Sequence, residues 1–86
     1  MNENLTRQET EFYDACEMSV GGVENWYNDN DATLESHPMT LESLTAEVYA
    51  EAIAELELER DVRFLGKQRL MDLARCAARE FDLFNN

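Results

Sequence analysis

Breakers and reactive side chains are scarce in these 86 residues: three Gly, one Pro, one His and two Cys. So few Gly and Pro, set among plentiful Leu, Ala, Glu and Met, favour an all-α domain. His37, Cys16 and Cys76 are too few and too far apart for a zinc site, so no metal ligand set is expected. No apolar run approaches the roughly 18 residues of a transmembrane helix. The start, MNENLTRQETE, has neither a basic n-region nor an apolar h-region, which argues against a signal peptide. The expectation is one soluble, cytoplasmic domain spanning residues 1–86.

Basic residues are scarce too. Nineteen acidic residues face seven basic ones, for a net charge of −12. Residues 1–59 hold fifteen acidic residues and one basic residue, Arg7, whereas residues 60–86 hold six basic and four acidic. A field of this sign repels phosphate, so direct binding to nucleic acid or to an anionic membrane is not expected. A basic partner is attracted strongly and quickly. Simple disorder is not expected either, because 44% of the residues are hydrophobic and they follow a clear period.

The longest periodic stretch is TLESLTAEVYAEAIAELELERDVRFL, residues 40–65. Pro38 disfavours helix at His37. Thr40 suits an N-cap, and Glu42 sits where the helix dipole favours an anion. Leu41, Leu44, Val48, Ala52 and Leu56 step by three and four, and Tyr49 and Ile53 widen that face. Ala46, Ala50 and Ala54 form a small-residue row that a neighbouring helix can approach. Glu47, Glu51, Glu55 and Glu59 fall four residues apart, a rise of about 6 Å per step. Like charges at this spacing oppose the isolated helix by a few tenths of a kcal/mol per pair. The row reads as a solvated face or as a ladder of negative charge on the scale of neighbouring phosphates. Leu56, Leu58, Val62 and Phe64 also alternate, which fits a strand. Helix is favoured, with a break near Arg60–Asp61 as the variant and Gly66 as its C-terminal stop.

Upstream, Thr6-Arg7-Gln8-Glu9 matches a capping box. The helix it opens carries Phe12, Cys16, Val20, Val23 and Tyr27, flanked by Tyr13 and Trp26. Gly21-Gly22 interrupts it and predicts a bend or a close helix crossing. Residues 28–39 form an acidic loop in which Asp29, Asp31 and Thr33 faintly resemble an EF-hand. The match fails at Leu34 and Thr40, where the loop needs Gly and Glu. Glu24, Asp29, Asp31 and Glu35 extend the acidic surface. His37 reads as a surface residue, since no nucleophile motif accompanies it. Residues 67–84 form the last helix, with Leu70, Leu73, Ala74, Ala77, Phe81 and Phe84 as its stripe. Its cations, Lys67, Arg69, Arg75 and Arg79, are expected to pair with glutamates of the central helix. Cys16 and Cys76 read as buried thiols, a disulfide between the first and last helices being the alternative.

The architecture that follows is a compact all-α bundle of three helices, at 6–28, 40–65 and 67–84, or four if the central one is split. No constellation of nucleophile, base and metal is visible, so neither an enzyme nor a cofactor is expected. In size, charge and lack of chemical motifs, the chain resembles the small acidic inhibitors that phages encode against bacterial defence, anti-CRISPR and antirestriction proteins among them. That resemblance covers overall character, and no family's functional residues carry over. It implies a basic nucleic-acid-binding target, such as a CRISPR effector or another nuclease, in the cytoplasm of a bacterial host. Glu47, Glu51, Glu55 and Glu59 are the first candidates for partner binding, and Glu24, Asp29, Asp31 and Glu35 the second. The alternative is a small helical regulatory subunit, antitoxin-like, immunity-like or homodimeric, that binds through apolar helix faces.

Overall fold

Thr6 opens the first helix with the expected reciprocal cap. Its Oγ1 accepts from the Glu9 amide at 3.1 Å, and the Glu9 carboxylate accepts from the Thr6 amide at 3.0 Å. The computed structural model describes residues 5–85. Of the polar lead at residues 1–5, all but Leu5 therefore lies outside the described residues, and Leu5 packs against the core. Helix α1 runs Arg7–Asp29 without interruption through Gly21 and Gly22. A Cβ built on either glycine meets nothing within 4 Å, so no neighbouring backbone crosses closely there. The expected stripe faces inward: Phe12, Cys16, Val20 and Tyr27 are buried, and Val23 is half-buried.

Residues 30–40 cross to the second helix as a tied-down loop. Asp31 sits in the left-handed region at φ 50°. The Ala32 amide donates to the Tyr27 carbonyl at 2.8 Å. The Tyr27 hydroxyl donates to the His37 carbonyl. Thr40 then caps helix α2, Leu41–Leu56, accepting from the Ser43 amide while its own amide donates to Ser43 Oγ, both at 3.0 Å.

Helix α2 is shorter than expected, and the reason is geometric. Glu57 turns left-handed at φ 54°, its amide donates to the Ala54 carbonyl, and the Leu58 amide donates to the Ile53 carbonyl at 2.9 Å. This is a Schellman stop with Glu in the position that glycine usually takes. Leu58 and Ile53, the apolar pair that accompanies such a stop, are both buried. A continued helix would turn Leu58 about 120° away from Ala52 and off the core stripe. Stopping at Leu56 brings it back in. The break therefore precedes the expected position near Arg60. A one-turn helix α3, Val62–Leu65, follows, and Gly66 at φ 92° separates it from α4, Lys67–Ala78.

The last helix also ends early. It stops at Ala78; Phe81, four residues after Ala77, is still buried in the core, and a 3₁₀ turn spans Asp82–Asn85. Phe81 meets Tyr27 and Phe84 edge to face, at ring separations of 5.5 and 4.9 Å. The result is an all-α bundle in which α1, α2 and α4 each pack on the other two, measuring 39 × 26 × 18 Å. Leu44, Val48, Ala52, Leu70, Leu73, Ala74 and Ala77 complete its centre.

Three further expectations are corrected. Ala46, Ala50 and Ala54 are exposed, so no helix approaches that row. Cys16 is buried but Cys76 is exposed, and both thiols are free. Among the described residues the cation that reaches across the bundle is Arg69, which pairs with Glu9 of α1 at 3.0 Å rather than with α2. Hydrogen bonds from the Thr6 amide and from Arg69 hold the Glu9 carboxyl below its ordinary range. One carboxylate thus caps α1 and ties it to α4.

Candidate functional site

The acidic row divides at the end of α2. Glu47, Glu51 and Glu55 are exposed on the helix. Each step of four residues also rotates the row by about 40°, so at Glu59 it would have turned about 120°, toward the core stripe. The Schellman stop removes Glu59 from the row instead. Glu59 sits in the turn beside Arg60, Arg63, Phe64 and Lys67. The ladder has three rungs on one helix rather than four.

These three carboxylates border a groove between α1 and α2. The larger part, about 610 Å³, has Met18, Gly22, Val23 and Trp26 on the α1 side, Glu47 and Glu51 on the α2 side, and His37–Met39 at one end. A smaller adjoining hollow lies among Ala15, Met18, Ser19, Glu51 and Glu55. Ser19 Oγ donates to Glu51 Oε1 at 2.7 Å and fixes that carboxylate across the groove. Trp26 stands edge-on to the His37 ring at 5.1 Å, which places the loop as the end wall. Met18 is 78% exposed and Trp26 47% exposed, so the floor is apolar and open while the rim is anionic.

No described cation lies within ion-pairing distance of Glu47, Glu51 or Glu55. The last turn of α2 has no basic residue, so Glu55 faces the negative end of the helix dipole uncompensated. The arrangement does not favour the folded chain on its own account.

The second group of acids is not assembled into this site. Glu24 accepts from the Asp82 amide at 2.8 Å and so fastens the C-terminal turn to α1. Asp29, Asp31 and Glu35 are exposed at the end of α1 and in the loop, and they do not line the groove. A different acidic cluster joins α1 to the end of α4: the Tyr13 hydroxyl donates to Glu80 at 3.1 Å. Burial, then the bond with Glu80, pushes the neighbouring Glu17 carboxyl above its ordinary range. Burial also pushes the Tyr13 phenol upward.

Sequence reasoning found the row but not the groove. Met18 lies off the α1 stripe, and Trp26 and the His37–Met39 segment become a wall only when the loop folds back. Among the described residues, no cluster of three or more His, Cys, Asp or Glu side chains is placed to hold a metal ion. No described helix is long and apolar enough to cross a membrane. No protein-family model, curated protein or solved structure matches the chain.

Proposed function

We propose that this chain is an acidic protein inhibitor. It binds the basic nucleic-acid-binding surface of a larger protein and keeps DNA or RNA off it. A CRISPR effector or a restriction-type nuclease in the bacterial cytoplasm is the kind of target it fits. One observation carries the reading: Glu47, Glu51 and Glu55 stand exposed, about 6 Å apart along one helix, with no described cation beside them. A surface lined with Lys and Arg to receive phosphates also receives carboxylates held at such spacing. The net charge of −12 adds long-range attraction to such a surface.

A second reading draws on the apolar floor. Exposed Met18 and Trp26 suit a small helical interaction subunit whose affinity comes from buried apolar area. Salt separates the two, since charge-driven binding weakens as the screening length falls to about 10 Å at 0.1 M. The test is affinity capture from bacterial lysate at low and high salt. The inhibitor reading expects a nuclease or nucleic-acid-binding complex that salt releases and DNA competes away. Retention of a partner indifferent to both salt and DNA would overturn it in favour of the subunit.

A further inference from the structure

The groove carries more information than the acidic row alone. Its α1 wall sets Gly22 between Met18 and Trp26, one helical step from each. Helix-interior glycines weaken a helix, yet no atom of this chain occupies the space above Gly22. A bare stretch of backbone is thus flanked by two exposed apolar side chains and faced by Glu47 and Glu51. Its volume of about 610 Å³ compares with roughly 500 Å³ for one turn of helix, taking a diameter near 11 Å and a pitch of 5.4 Å.

Building on the reading of the chain as an acidic binding protein, we propose that this groove receives a basic amphipathic helix of the partner protein. An apolar side chain of that helix lies over Gly22 between Met18 and Trp26. Lys or Arg residues four apart on its flank meet Glu47 and Glu51, whose own spacing along α2 is about 6 Å. Charge complementarity selects this occupant. Nucleic acid is repelled by the net −12. A second copy carries the same repulsion, and its exposed basic–apolar segment, Arg63 and Phe64, lies on a four-residue helix that spans about one turn.

Trp26 is the sole tryptophan, so its fluorescence reports on the groove directly. The probe is a synthetic Trp-free helical peptide with Leu at positions four apart and Lys on the flanking face. A control peptide has the same charge with Ala in place of Leu. The Leu peptide should shift Trp26 emission to shorter wavelength and shield it from acrylamide. Its Kd should rise about tenfold or more on Met18→Glu, on the pair Glu47→Gln and Glu51→Gln, and on exchange for the Ala peptide. Met18 is exposed, so its variant should keep the native circular dichroism spectrum. Equal binding of both peptides with Trp26 unmoved would overturn the groove assignment while leaving the inhibitor reading intact, because charge alone would then hold the partner. Absence of binding by either peptide at low salt would overturn the groove assignment as well. So would a blue shift that follows protein concentration alone with dimers in sedimentation, which assigns the groove to a second copy. The inhibitor reading itself fails separately, through the salt-resistant and DNA-resistant capture described above.

Discussion

Replacing Gly21 and Gly22 by alanine should raise stability by an amount that geometry sets. Both lie inside α1, Gly21 eight and Gly22 seven residues from its C-terminal end at Asp29. In a helix interior each Gly costs about 1 kcal/mol relative to Ala, largely through the extra freedom of the unfolded chain. A new Cβ meets no atom within 4 Å at either position, so no clash subtracts from the gain and no new packing adds to it. The expected gain is about 0.5–1 kcal/mol for each change and about 1–2 kcal/mol for both. At this chain length 1 kcal/mol moves Tm by about 4–8 °C. Thermal melts followed by circular dichroism, with urea titrations beside them, measure the effect. The urea midpoint should rise with an unchanged slope. A midpoint that falls or stays put would refute the reasoning, because it would mean that the helix departs from regular geometry at the pair or that something fills the space above it.

Glu57→Gly should stabilise the fold by about 1 kcal/mol, since the residue occupies the left-handed position of the Schellman stop at φ 54°; a loss of stability in urea would contradict this. Glu9→Gln should destabilise by about 1–2 kcal/mol at neutral pH, because it weakens both the capping box and the hydrogen bond to Arg69. The folded-state pKa of Glu9 is lowered, so its contribution is present above the ordinary carboxylate value near 4.5 and is lost as pH falls through the lowered one. The difference between the two proteins should therefore shrink on acidification, which urea titrations at several pH values would read. In a native thiol assay Cys76 should react promptly and Cys16 only after unfolding, since burial also pushes the Cys16 thiol up to about 12; two fast thiols would contradict that placement.

Local chemistry made much of the fold legible. The Thr6–Glu9 box, the Thr40 cap and the period of Phe12, Cys16, Val20 and Tyr27 appear where the sequence implies them. Gly66 does separate two helices, although the one it stops has a single turn. The end of α2 was not legible, because it is decided by an apolar residue out of helical phase; nor was that of α4, where Phe81 keeps the stripe's step of four from Ala77 although the helix stops at Ala78. Leu58 reaches the core only if the chain leaves the helix first, and Glu57 adopts a conformation that its type does not announce. The site was half legible. Spacing gives the row of Glu47, Glu51 and Glu55, but the stop at Glu57 takes Glu59 off the helix. Glu24, which looked like spare surface charge, is held by the Asp82 amide, a contact between residues 58 positions apart. The groove depends on how α1, α2 and the 30–40 loop meet, and no local pattern encodes that.

The central claim is that the α2 carboxylates bind a basic partner. Wild type and the triple variant Glu47→Lys, Glu51→Lys, Glu55→Lys should be compared side by side in affinity capture from the same lysate at low salt. All three positions are exposed, so the variant should keep its helical circular dichroism spectrum. The account predicts that the partner held by the wild type is lost from the folded variant. Capture of the same partner in equal amount by the folded variant would contradict it.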